Sequence, residues 1–166
     1  MAEARVSPIT VRPAEARDAG LQQAFFAGLS HESRYHRFMS PLREVPAALL
    51  EQLTRVDQRD HVALLAETGG AVIGEARYVR DGTAAEFAVA VADAWQGLGL
   101  GRRLLTELEH RAATTGVQRL VGDTLRSNAG MIALGRRAGF AIRPGAGGLW
   151  TVQQVKDLGA EVPLAA

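Results

Sequence analysis

The chain has 166 residues, 47% of them hydrophobic and 22% charged, which predicts one folded soluble domain and excludes a chain disordered throughout. No run approaches the ~20 apolar residues of a membrane helix, Met1 to Thr10 lacks the apolar core of a secretory signal, and cysteine is absent, so thiolate metal sites and cysteine nucleophiles are excluded. Nineteen basic side chains against 18 acidic ones leave a formal charge of +1; this predicts neither nucleic-acid nor membrane binding, and a cytoplasmic location is the default.

In chain order, Arg5 to Val11 reads as a first strand, ended by Pro13. Leu21, Phe25, Phe26 and Leu29 recur at helical spacing within Ala14 to Leu29. Ser30 has the chemistry of an N-cap for a short helix through Phe38, and Pro46 suits the first turn of a third helix to about Val56. Apolar runs at His61 to Ala66, Ala71 to Val79 and Ala84 to Val91, separated by Thr68-Gly69-Gly70 and Asp81-Gly82, predict hairpin-connected strands. After the glycine-rich stretch Gln96-Gly97-Leu98-Gly99-Leu100-Gly101-Arg102-Arg103, a helix carries Leu100, Leu104, Leu105, Leu108 and Ala112 along one side and stops at Gly116. Arg119 to Leu125 is a further strand and Asn128 to Ala138 a helix stopped by Gly139; Phe140 to Arg143 and Leu149 to Val155 are two last strands. The order predicts an α/β domain with a mixed sheet flanked by helices, over residues 1–156, followed by a loose tail from Asp157.

A strand that enters a glycine-rich turn and then a helix is a general phosphate-binding device. Glycines let the backbone approach an anion, and first-turn amides point at it along the positive end of the helix dipole. A nucleoside-triphosphate loop would need Gly-Lys followed by Ser or Thr, which is missing. A dinucleotide fingerprint would need Gly or Ala where Arg102 stands, and would follow the first strand of a βαβ unit rather than a run of hairpins.

Gln96-x-x-Gly99-x-Gly101, preceded by Val89-Ala90-Val91 and Trp95, resembles the acetyl-coenzyme A loop of the GNAT superfamily of N-acetyltransferases. Asn128-Ala129-Gly130-Met131-Ile132-Ala133-Leu134, running to Ala138-Gly139-Phe140, is similar to that superfamily's closing helix and its terminal Gly-Phe. Ser30-His31-Glu32-Ser33-Arg34-Tyr35-His36-Arg37-Phe38, together with Ala85-Glu86-Phe87-Ala88-Val89, resembles the catalytic domain of bacterial Pat-type protein lysine acetyltransferases. The resemblance implies a mostly antiparallel sheet in which Ala84 to Val91 and Arg119 to Leu125 are parallel neighbours that splay at the cofactor. It implies acetyl-CoA as cosubstrate, bound by Val89, Ala90, Val91, Gln96, Gly97, Leu98, Gly99, Leu100, Gly101, Arg102, Arg103 and Asn128.

Acetyl transfer requires a neutral amine, and a lysine with pKa ~10.4 is disfavoured in that form by roughly 4.6 kcal/mol at neutral pH. Glu86 interrupts an apolar strand where the resembling family places its general base, so it is the catalytic candidate; a solvated carboxylate on an exposed strand face is the plainer reading. Many members carry a Tyr after the closing helix's Leu to protonate the leaving thiolate, and here that slot is Gly135. A thiolate with pKa ~8.5 leaves without an acid; Tyr35 is a substitute candidate, and Asp123 is read as structural or exposed. Arg136, Arg137 and Arg143 suit the cofactor's 3′-phosphate or a solvated face. The four histidines, His31, His36, His61 and His110, lack zinc-like spacing, so no metal is expected. The acceptor the resemblance implies is a protein lysine, such as one on an acyl-CoA synthetase, with a small amine as the alternative and a coenzyme A-binding module without turnover as the non-enzymatic one. Arg34, Arg37 and Arg43 against Glu32 and Glu44 fit a slightly acidic partner surface.

Overall fold

The computed structural model describes residues 7–159. Seven strands form one sheet in the order β1-β2-β3-β4-β5-β7-β6: β1 (Thr10–Pro13), β2 (His61–Thr68), β3 (Ala71–Asp81), β4 (Ala84–Val91), β5 (Arg119–Leu125), β6 (Ala141–Gly145) and β7 (Gly148–Asp157). Every pairing is antiparallel except β4 with β5. Five helices cover the two faces: α1 (Ala19–Gly28), α2 (His31–Phe38), α3 (Ala47–Thr54), α4 (Leu100–Thr114) and α5 (Ala129–Arg137). None is long and apolar enough to cross a membrane.

The pleat sorts the core into two clusters. Ala85 and Phe87 of β4, Ala76 and Tyr78 of β3 and Leu120 of β5 pack under α4 through Leu100, Leu104, Leu105, Leu108 and Ala112. Ala63 and Leu65 of β2, Val72 and Ala90 face the other way, against Phe25, Phe26 and Leu53 of the α1–α3 layer. At Gly74 α4 packs tightly on the sheet, since a Cβ there would stand 2.9 Å from Leu104 Cδ1.

The elements agree with the sequence reading, with shifted ends. The first strand, expected from Arg5 and finished before Pro13, begins at Thr10 and includes Pro13; Arg5 and Val6 lie outside the described residues. Pairing sets this boundary: Thr10 meets Glu67 near the end of β2, and Pro13 opposite Leu64 tolerates its missing N–H on an edge strand. Ala14 to Asp18 forms an extended residue and a 3₁₀ turn rather than the start of α1. Pro46 is the N-cap of α3, one place before the first turn. Ser30 caps α2, its Oγ accepting from Ser33 N. Asp157, expected to open the tail, is the last residue of β7 and pairs with Arg119.

Candidate functional site

The C-terminal end of β4 leads through a short 3₁₀ turn into the glycine loop and α4. Gly97 (φ +74) and Gly99 (φ +86) are left-handed, a conformation that glycine adopts without a Cβ penalty. The backbone N–H groups of Gly97, Leu98, Gly99, Leu100, Gly101 and Arg102 have no acceptor among the described residues, and Arg103 N is the first to close a helical bond, to Gly99 O. Gly101 keeps the floor clear: a Cβ would stand 3.2 Å from Leu134 Cδ2 of α5. The result is a row of free donors at the positive end of a four-turn helix.

These donors face a cleft of about 700 Å³, walled by β4, the loop, α2 and the start of α5. The α2 wall is tied to the loop by a polar network. Asp93 accepts from Ser30 N (2.9 Å), Ser30 Oγ (2.7 Å) and Ser33 Oγ (2.7 Å), while Gln96 Nε2 donates to Ser33 Oγ (3.1 Å) and Val91 O (3.0 Å). Burial alone would raise the Asp93 carboxyl, but the donors on Ser30 and Ser33 outweigh it and hold the group below the usual carboxylate range. Deeper on the same helix, Arg37 donates to Glu75 Oε1 (2.9 Å) and stacks over Phe38, and Arg77 pairs with the other Glu75 oxygen. Glu75 is fully buried; the two arginines keep it ionised and below its ordinary value against the opposing effect of burial.

The parallel pair ends early. Only Ala84, Glu86 and the residue between them pair with Arg119, Leu120 and Val121. Beyond them the Phe87 ring occupies the space over Gly122, where a Cβ would stand 2.7 Å from the ring, and β4 and β5 part. The gap between them, about 30 Å³, is lined by His36, Arg37, Ala88, Gly122, Asp123 and Asn128 among others. Glu86 occupies the last paired position of β4, exposed to solvent, with no ion pair or hydrogen bond from the described residues and outside the cleft lining.

Of the residues expected to bind the cofactor, Val89, Ala90, Val91, Gln96, Gly97, Gly99, Gly101, Arg102 and Asn128 line the cleft together. Leu98 projects into solvent, Leu100 is buried under the sheet, and Arg103 reaches away to Ile9 O (3.1 Å). Asn128 caps α5, its Oδ1 accepting from Met131 N. Arg137 also lines the cleft, whereas Arg136 and Arg143 are exposed outside it. Tyr35 is exposed and lines neither the cleft nor the gap. Gly135 faces the buried Gln154 of β7: a Cβ would stand 1.5 Å from Gln154 Oε1, so Gln154 fills the space where a larger side chain would begin. Two of the three arginines expected to face an acidic partner are turned inward. Arg34 is buried and donates to five carbonyls between Phe26 and Arg43, and Arg37 is committed to Glu75; only Arg43 is exposed. Glu32, Ser33, His36 and Arg37 of α2 also line the cleft, as do Asp93, Ser127, Met131 and Leu134; none of these is among the residues expected at the cofactor, and the polar helix beginning at Ser30 is the local signal for the first group.

The sequence matches the acetyltransferase (GNAT) family over residues 25–140. It is 41% identical over 115 residues to Acetyltransferase Pat of Mycolicibacterium smegmatis, covering 66% of this chain and 34% of that protein, so it spans about a third of that relative. It is 31% identical over 138 residues to an acetyltransferase of Pseudomonas aeruginosa, covering 80% of this chain and 74% of the other. The fold superposes on the crystal structure of the GNAT domain of S. lividans PAT with a TM-score of 0.84 and 28% identity, covering 95% of this chain and 99% of that one.

Proposed function

The chain belongs to the acetyltransferase (GNAT) family, and from that premise we propose that it moves an acetyl group from acetyl-CoA to a primary amine, a protein lysine side chain, by direct attack with Glu86 as general base. The observation that carries this reading is the row of unpaired loop amides at the foot of two strands that part. Six adjacent donors at a helix N-terminus fit a pyrophosphate, and the glycines leave room for its close approach. Beyond Glu86, β4 has no partner on its β5 side, so its backbone is free to bond the amides of an extended arm and to donate to a carbonyl oxygen that gains charge. Bound acetyl-CoA supplies the activated acyl group. Glu86 stands at the mouth of the split, unpaired, where it can take a proton from an incoming ammonium directly or through one water. With Gln154 where a tyrosine would need space, the thiolate departs without a donor from α5, which its low basicity permits. The resemblance of Ser30 to Phe38 and Ala85 to Val89 to Pat-type protein lysine acetyltransferases favours a lysine acceptor.

Labelled acetyl-CoA incubated with a cell lysate tests both parts. The native chain should place label on discrete protein bands; label confined to low-molecular-weight products would overturn the lysine acceptor. Glu86→Gln should lower turnover by ~10²–10⁴ with coenzyme A affinity nearly unchanged. Undiminished turnover in that variant would remove Glu86 from the chemistry.

A further inference from the structure

Four buried side-chain polar atoms lack a hydrogen-bond partner among the described residues, and one of them belongs to a carboxylate: Asp123 Oδ1. A buried carboxylate oxygen needs a hydrogen-bond donor, and where the described residues supply none the donor is a water or a ligand. Asp123 lies on β5 two residues beyond Val121, the partner of Glu86, so the pleat sets Asp123 and Glu86 on the same face of the sheet, one on each side of the split. The gap it lines, about 30 Å³, admits a group the size of a water molecule or a terminal ammonium. The basic residues lining that gap are engaged elsewhere: Arg37 donates to Glu75, and His36 Nε2 meets Ser127 Oγ at 3.4 Å. An anionic acceptor of water-sized reach, on the same sheet face as the candidate base, suits a donor that itself carries positive charge, and the primary ammonium of the acceptor is such a donor.

We propose that Asp123 is the anchor for the acceptor's ammonium, holding it in the split between β4 and β5 while Glu86 takes the proton. The inference rests on the amine-acetylating reading above and adds to it a residue for acceptor binding. It separates the labour of two carboxylates: Asp123 holds the cation and Glu86 removes its proton.

The variants Asp123→Asn and Asp123→Ser, compared with the native protein on a lysine peptide, test this. Either change should raise KM for the amine ~10–100-fold, leave coenzyme A affinity unchanged, and lower kcat at saturating peptide far less than Glu86→Gln does. Because no donor among the described residues is paired with Asp123, Asp123→Asn should leave Tm unchanged or raise it. Calorimetry without turnover gives a second reading: the native protein, loaded with coenzyme A, should bind the lysine peptide more tightly than its acetyl-lysine counterpart, and Asp123→Asn should abolish that preference. An unchanged KM, or a calorimetric preference that survives in the variant, would overturn the assignment. So would a fall in Tm with no effect on amine binding, the mark of a purely structural aspartate. If no amine is acetylated by any form, the enzymatic reading fails, while the calorimetric preference still decides Asp123.

Discussion

Gly135 and Gln154 show how one residue can dictate another across the fold. Gln154 is fully buried on β7, donating to Thr124 Oγ1 (2.9 Å), and its Oε1 occupies the space a Cβ on Gly135 would need. Gly135→Ala therefore forces a side-chain shift in a packed layer and should cost about 1–3 kcal/mol, measured by chemical denaturation. Combining it with Gln154→Ala should cost less than the sum of the two single changes by at least ~0.5 kcal/mol, since the residues share one volume. The glycine was visible in the sequence as a departure from the family's pattern. Its cause was not, because Gln154 sits nineteen positions later on a strand whose register no local pattern announces. Asp123 was equally opaque: a lone acidic residue in a strand reads as solvated until the split beside it is seen.

At the scale of elements, a short edge strand is held by charge. Arg12 of β1 makes two 2.8 Å bonds to Asp18, one residue before α1, and donates to Glu67 of β2 (2.9 Å). The Arg12 guanidinium, aided by the Glu15 amide, keeps the Asp18 carboxyl below its ordinary value against its burial. A carboxyl lowered in the folded state adds stability above its unfolded pKa of ~3.9, and that contribution fades as pH falls through the folded value. Asp18→Asn should cost about 1–3 kcal/mol at neutral pH, and the gap between variant and native denaturation midpoints should narrow as pH drops below ~3.9. Sequence reading placed these elements well where turns and caps are local, as at Ser30 and the Gly69-Gly70 hairpin. It failed at β1, whose extent is set by a partner fifty residues away.

For the whole molecule, the cleft lies where two layers and two half-sheets meet, and filling it should stabilise all of them together. Coenzyme A at ~100 times its dissociation constant should add about 2.7 kcal/mol, a rise in Tm of roughly 5–11 °C for a domain of this size. NAD should give no such shift, since the loop lacks the third small residue at Arg102 that a dinucleotide fold requires. Thermal-shift measurement with each nucleotide checks this, and equal protection by both would count against a loop selective for coenzyme A.

The early end of the β4–β5 pairing has a mechanical consequence. Four strands on one side and three on the other are sewn together by three residue pairs, and the remainder of the seam is open. An extended guest bonded along β4 would supply the missing stitches of that strand from outside the chain, so this edge of β4 would be paired only while the guest is bound. Release of the guest would be the unpicking of a strand the protein never encoded.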